Sequence, residues 1–555
     1  MLIFWSFSQF VSAQVNAVQL LTAQPLLYEK MEFSISLRSE WANPYLQQDI
    51  AVDIIFSSPS GKMLTLPCYY ESGQSGANSI WKARFAPQEK GRYHYSARLS
   101  KAGNIVSISK NAAFTVAASG EAGFLHLKNN WALQFDDGRP FRGIGENIGW
   151  ESRANDDSKF FKVLHENSKY NYEYMLCALV SHGGNFFRTW IAPFNLPLDW
   201  QKPFNTNRYT ASDQYFNPGA IAKMDRLVEL CDSLHLHMML TLGPGAYQTR
   251  AGGFSPTAAD FFVNPRSKER YKDRLRYFIA RWGYSPAIAA WELFNEVDNV
   301  QLGNKNKPIS ADSIVQWHDE MSTYIKRTDP YGRLVTTSIS HRDLEGLNTL
   351  PYIGFNQKHI YKNTAGIPQA IEQYEQKFGK PYVIGEYSYE WDWTKNFDDF
   401  APQMDSDFKR GLWYGLFSPT PILPMSWWWE YFDSRKTDAY LSRVRSISDN
   451  MLKSGRGDFK PVAIRVSDTS VVSYGVKCGN KIYLYLFNPT SNTINFNLKP
   501  EALFSVYHLV LYGCENNTYK LLGFHRLTKP NGLNIKCSLT AKSDVIFILT
   551  KRVAR

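Results

Sequence analysis

The sequence predicts a central (β/α)8 barrel flanked by an N-terminal and a C-terminal β-sandwich. Three observations predict it. Short alternating runs fill residues 15–118, eight apolar strand-like runs alternate with amphipathic helices over 124–453, and alternating runs return over 460–555. The length of 555 residues accommodates roughly three to five domains of ordinary size. Hydrophobic residues make up 44% and charged residues 20%, which excludes collagen, coiled coil and wholesale disorder. No apolar run reaches the roughly 18 residues of a membrane span. Aromatic residues are abundant at 15%. Flat rings stack on the apolar face of a pyranose, so the excess suits sugar binding, although β-rich cores use aromatics too.

Residues 1–13 read as the remnant of a signal peptide. Leu2–Val11 is an apolar core, and Val11-Ser12-Ala13 is a small-residue cleavage pattern before Gln14. The basic segment that should precede it is missing, so the start lies upstream or the stretch is a buried strand. Export places the protein outside the cytoplasm: secreted, periplasmic or at the cell surface.

The first sandwich is predicted from runs at 32–37, 50–56, 81–85, 93–99 and 113–116, separated by turns such as Ser57-Ser58-Pro59-Ser60-Gly61. Residues 117–123 read as a linker. The barrel strands are predicted at 141–148, 185–191, 237–242, 289–294, 334–339, 353–360, 382–385 and 422–427, with helices such as 221–234, 267–282 and 313–327 between them. A doubly wound sheet is the alternative, but its Gly-x-Gly-x-x-Gly loop is absent. Ser454-Gly455-Arg456-Gly457-Asp458 reads as a second linker and a solvated hinge rather than an adhesion tripeptide. The closing sandwich is predicted from runs at 469–476, 481–487, 493–498, 505–511 and 543–549.

The six cysteines form no Cys-x-x-Cys pair, which argues against a zinc ribbon or a thioredoxin-like site. Cys177 and Cys231 read as buried thiols, and one disulfide among Cys478, Cys514 and Cys537 is open. Lys plus Arg total 62 against 51 Asp plus Glu, with no dense basic run, which argues against nucleic acid as a partner. His235 and His237 read as core strand residues rather than metal ligands. No His-Glu-x-x-His, Gly-x-Ser-x-Gly, P-loop or calcium loop is found, so no metal and no cofactor are predicted.

Catalytic side chains of a barrel stand at the C-terminal ends of its strands. The fourth predicted strand ends Trp291-Glu292-Leu293-Phe294-Asn295-Glu296, and the seventh ends Val383-Ile384-Gly385-Glu386-Tyr387. Both put a glutamate just past an apolar run. Facing carboxylates suit glycoside hydrolysis: one protonates the leaving oxygen and the other attacks the anomeric carbon, at roughly 5–5.5 Å in retaining enzymes.

Asn295-Glu296 with Glu386 resembles glycoside hydrolase clan A, the retaining (β/α)8 glycosidases. The approach, Arg281-Trp282-Gly283-Tyr284-Ser285-Pro286 and then Ala290-Trp291-Glu292-Leu293, is similar to family 5. The resemblance implies Glu296 as acid/base and Glu386 as nucleophile. It implies that Arg188, ending strand two, holds the nucleophile ionised and that Asn295 binds the sugar 2-hydroxyl. It further implies His359 and Tyr361, ending strand six, as substrate-binding residues with the Tyr near the nucleophile, and Trp427, or else Trp429, as the floor under the sugar. Alternation along a strand would put Trp427 and Trp429 on one face and Trp428 on the other. Arg142-Gly143-Ile144-Gly145-Glu146-Asn147 resembles the clan's Arg-Gly-x-Asn opening, which makes Asn147 a substrate-binding residue. Glu146 rims the site or joins a salt bridge. The N-terminal domain is similar to the Ig-like modules that precede such barrels.

The implied function is retaining hydrolysis of β-linked oligo- or polysaccharides. A non-catalytic carbohydrate-binding or adhesion protein on a degenerate barrel is the other reading, and intact Glu296, Glu386 and Arg188 argue against it. Transglycosylation uses the same residues. Sugar identity, endo or exo action and oligomeric state stay open. The aromatic-rich stretches 205–218 and 243–262 are expected to wall the site.

Overall fold

The computed structural model describes residues 13–243, 255–302, 309–501, 506–526 and 534–551. The expected leader lies outside the described residues apart from Ala13, as do residues 244–254 of one expected site wall. The chain forms two compact units. One takes in residues up to Leu125 together with Trp190–Thr337 and His341–Ile353, and the other takes in His126–Thr189, Ser338–Ser340 and the chain from Gly354 onward. No helix among the described residues is long and apolar enough to cross a membrane.

The first unit begins with two facing antiparallel sheets. One orders Gln14–Leu20, Met31–Arg38, Asn78–Phe85 and Tyr69–Gly73. The other orders Met63–Pro67, Ala51–Ser57, Gly91–Lys101 and Asn104–Ile108, with Ala112–Val116 also on Gly91–Lys101. Strict alternation along Met31–Arg38 turns Met31, Phe33, Ile35 and Leu37 inward. Phe33 meets Phe56 of the opposite sheet at 5.6 Å between ring centroids, and Phe56 stacks on Phe85 at 4.2 Å. The sandwich is not merely tethered. Asp53 accepts from Arg276 of the Pro265–Trp282 helix at 2.6 Å. Arg84 donates to Asp225 of the Pro218–Leu234 helix at 2.8 Å.

The rest of this unit holds His237–Thr241, Ile288–Glu292 and Leu334–Thr336, paired in parallel. Helices Pro218–Leu234 and Pro265–Trp282 cover them. Each starts at an Asn whose side chain accepts a backbone N–H and carries proline in its first turn, a pre-organised helix start. His235 is not in a strand. It is exposed and caps the first of these helices in a left-handed conformation, whereas His237 is buried, its Nδ1 donating to the Pro286 carbonyl at 3.2 Å. Described aromatics of the expected site walls pack against other rings. Tyr215 stacks on Tyr45 at 4.8 Å, Phe216 on Tyr277 at 4.0 Å, and Phe261 packs on Trp317 at 5.1 Å.

In the second unit Gly145–Asn147 pairs in parallel with Phe186–Trp190, and Ser338–Ile339, Asn356–Tyr361 and Tyr382–Ser388 form a parallel three-stranded set. The expected strand at 422–427 is reduced to parallel bridges at Ile422 and Ser426. Pro424 interrupts it by offering no N–H, yet Leu423 still donates to Gly143 and Trp427 to Tyr387. Strands one, two, six, seven and eight of the sequence reading thus run parallel here, so their C-terminal ends share one edge.

A six-stranded antiparallel sheet follows, ordered Phe459–Pro461, Val472–Cys478, Lys481–Phe487, Asp544–Lys551, Val506–Gly513 and Thr518–Arg526. It faces a three-stranded one of Ile464–Val466, Ile494–Pro500 and Ile535–Leu539. Leu484, Leu486, Leu498 and Leu549 fill the space between them. On the outer face Tyr485 stacks on Trp413 of the Ala401–Leu416 helix. The expected hinge at 454–458 is instead a packed turn. The Leu441–Gly455 helix runs into it, Gly455 and Gly457 are buried, and a Cβ on Gly457 would stand 2.8 Å from Ala132. All six cysteines are free thiols, and Cys177, expected to be buried, lies exposed on the Tyr172–Ser181 helix.

Candidate active site

Glu386 sits near the C-terminal end of Tyr382–Ser388, a strand buried along its whole length. Arg188 donates to its Oε1 at 2.6 Å, Tyr361 donates to Oε2 at 2.5 Å, and His359 Nδ1 lies 3.3 Å from Oε2. Burial alone would raise the carboxyl pKa. The His359 and Arg188 charges and the hydrogen bonds from His359 and Tyr361 outweigh it, and the group is held down at about 2. It is an anion throughout the neutral range, in a site from which water is nearly excluded.

Arg188 is itself fully buried and also donates to Asn147 Oδ1 at 3.1 Å. The Asn147 amide nitrogen donates to the carbonyls of Gly385, Met425 and Ser426. Asn147 therefore does not reach for substrate as expected. Its amide is taken up by joining three chain segments and steadying Arg188. Glu146, next to it, neither rims the site nor forms a salt bridge among the described residues. It is buried behind the sheet, and burial raises its carboxyl well above the ordinary range, with Asp438, Asp433 and Glu430 adding to the rise.

Trp427 and Trp429 do share a face, but not through strand alternation. Trp428 adopts a left-handed conformation, φ 72°, and Trp429 begins the Trp429–Arg435 helix. The kink brings the Trp427 and Trp429 rings to 5.2 Å, edge to face, and both meet Trp150 at 5.4 and 5.0 Å. Trp428 turns away to stack on Phe161. Trp427 keeps 9% of its surface and Trp429 only 3%. Gly149 lets the cluster close, since a Cβ there would meet Trp429 at 3.0 Å. Trp150 is missing from the sequence reading. Its one signal was a tryptophan directly after the end of strand one.

In the first unit the chain from Trp291 to Phe294 is buried, and Asn295 and Glu296 then emerge as half-buried residues. Glu296 takes a left-handed backbone, φ 48°, which for a non-glycine residue costs about 1–3 kcal/mol and is concentrated at functional sites. The turn is fixed from both sides. Asn299 donates its backbone N–H to the Glu296 carbonyl and its side-chain amide to Glu296 Oε2, both at 2.9 Å. Asp298 accepts the N–H groups of His341 and Arg342 at 2.8 and 3.0 Å. Four residues before Glu296, at the end of the Ile288–Glu292 strand, Glu292 is buried and accepts from Thr241 at 2.6 Å. The oxygens of Glu386 face a guanidinium, a phenol and an imidazole.

A family model described as a domain of unknown function (DUF5060) matches residues 26–100, within the N-terminal sandwich. The chain is 27% identical over 251 residues to mannan endo-1,4-beta-mannosidase A of Podospora anserina, a match covering 39% of this chain and 64% of the relative. It is 45% identical over 82 residues to the probable mannan endo-1,4-beta-mannosidase C of Aspergillus terreus, covering 14% of this chain and 20% of the relative. The chain thus spans just under two thirds of the first relative and a fifth of the second. A solved glycoside hydrolase superposes on 78% of this chain and 97% of its own length, with a TM-score of 0.53 at 14% identity. In sequence the chain is similar to mannan endo-mannosidases, and in fold it is similar to a glycoside hydrolase.

Proposed function

We propose that this chain is a retaining glycoside hydrolase of the family 5 type that cleaves β-1,4-linked mannan. The observation that carries the reading is the setting of Glu386: a buried carboxylate kept ionised at about 2 by His359, Arg188 and Tyr361. A nucleophile for an anomeric carbon needs that combination of charge and low hydration. The mannan assignment is supported by the named relatives.

In this reading the parallel strands belong to a (β/α)8 barrel, and Glu296 and Glu386 are its acid/base and nucleophile, a pair that retaining enzymes hold about 5–5.5 Å apart. Glu296 protonates the leaving oxygen while Glu386 attacks the anomeric carbon, giving a glycosyl-enzyme. Glu296, now a carboxylate, takes a proton from water, and that water displaces Glu386 with the configuration retained. Arg188 and Tyr361 hold the nucleophile in line for attack. Asn295 binds the 2-hydroxyl, and Trp427 supports the sugar from below. The outer sandwiches, the first an Ig-like module, carry no catalytic residue. A polymeric substrate fits a protein working outside the cytoplasm.

The test is to incubate the protein with β-1,4-mannan and follow the anomeric protons of the products by NMR. β-Anomers appearing first, before mutarotation, are expected. α-Anomers appearing first would overturn retention. Release from another β-glycan but not from mannan would overturn the sugar assignment alone.

A further inference from the structure

Three large aromatic side chains stand in solvent directly after the strand that carries Glu386. Tyr389, Trp391 and Trp393 are 41%, 55% and 40% exposed. Three such rings within five residues make an apolar patch of the kind that marks an interaction surface.

The loop beneath them is tightly held. Glu390, between the rings, is buried and acts as its anchor. Its Oε1 accepts the N–H groups of Trp391 and Asp392 at 3.1 and 3.2 Å, and Lys362 lies 2.8 Å from the same oxygen. Lys395 donates to Oε2 at 2.6 Å. Asp392 then accepts the Thr394 N–H and hydroxyl at 3.0 and 2.6 Å. Tyr389 leans on Phe400 at 5.6 Å, and the Lys362 ammonium lies 5.1 Å from the centre of the Trp391 ring. The indoles are therefore carried by a backbone whose freedom is already lost, so a partner that stacks on them has little left to order.

Two features identify the partner. The nearby cations, Lys362 and Lys395, are both engaged by Glu390, so the patch offers flat apolar faces rather than charge, and a neutral pyranose fits it. The loop is also joined to the proposed sugar site where it begins. It continues from Ser388 of the Glu386 strand, and the Trp428 indole N–H donates to the Glu390 carbonyl at 2.9 Å, tying it to the Trp427–Trp429 segment. We infer that Trp391 and Trp393, with Tyr389, form a stacking platform for sugar units of the same neutral polysaccharide chain, outside the unit held at Glu386. This rests on the proposed function and extends it.

Trp391→Ala, Trp393→Ala and the double variant test it, with a thermal melt confirming the fold. Activity is compared on polymeric β-1,4-mannan and on 2,4-dinitrophenyl β-mannoside, which is too short to reach the loop. The double variant should lose about tenfold or more in kcat/KM on the polymer, mainly through KM, and stay within about twofold on the aryl glycoside. Unchanged polymer kinetics, or an equal fall on both substrates, would overturn the platform. Gel electrophoresis through mannan reads binding without catalysis. Retardation of the wild type that the double variant loses supports the platform even if no β-glycan is cleaved and the hydrolase reading fails. Equal retardation of both, or a concentration-dependent dimer that the double variant abolishes while mannan binding persists, would overturn it.

Discussion

Glu386 and Glu296 are the same chemical group in contrasting settings. Glu386 lies on a buried strand with a guanidinium, a phenol and an imidazole around its oxygens. Glu296 lies half-buried on a strained turn, where Asn299 supplies an amide to one oxygen. The first setting fixes charge. The second fixes position, since the strained backbone and the anchored Asp298 aim the side chain. In the proposed function, surroundings rather than residue type divide the labour between the two carboxylates.

The largest expected effect comes from removing the charged partner of the comparison. Glu386→Ala should lower kcat by roughly 10⁴-fold or more on every substrate, activated or not, because the covalent step has no replacement. Steady-state rates on mannan and on an aryl mannoside check this. A loss confined to poor leaving groups would break the comparison.

Next comes the source of the charge. The depressed pKa of Glu386 means that the stability gained from its ionised form is full above the ordinary 4.5 and is lost only as pH falls through about 2. Arg188→Gln takes away one of the two charges that oppose burial, so the pKa should rise. The acid limb of kcat/KM should then move to higher pH, with a loss of about 10²–10³-fold at neutral pH. A pH–rate profile reads both. An acid limb left in place would show that Arg188 does not hold the charge. The smallest effect belongs to the other setting. Asn299→Ala removes one hydrogen bond to Glu296 and should lower kcat/KM by about tenfold or less, leaving the acid limb where it is.

Both glutamates were legible because each ends an apolar run at a strand terminus, a signal local to the sequence. Arg188, His359 and Tyr361 were legible for the same reason, and the structure brings them to Glu386. What escaped the sequence depends on contacts between distant segments. Asn147 reads as a site residue until the carbonyls of Gly385, Met425 and Ser426 are seen around it. The facing of Trp427 and Trp429 was foreseen for the wrong reason, because a left-handed residue at Trp428 leaves no mark in hydrophobic period. Trp150 joins them only through Gly149. Edge strands such as Met63–Pro67 and Asn104–Ile108 are exposed on one side and partly polar, so their alternation was too weak to read. The glycines at 455–457 looked like a hinge, yet they are small because Cys478 and Ala132 press against them.

The division of labour between the two glutamates is tested most directly by azide rescue on an activated aryl β-mannoside. Glu296→Ala keeps the nucleophile, so azide should intercept the glycosyl-enzyme and give the β-glycosyl azide. Glu386→Ala leaves space on the opposite face, so azide should attack directly and give the α-glycosyl azide. NMR of the two products reads the anomeric configuration. A β-azide from Glu296→Ala and an α-azide from Glu386→Ala are the expected result, and the reverse pattern would contradict the assignment of both residues.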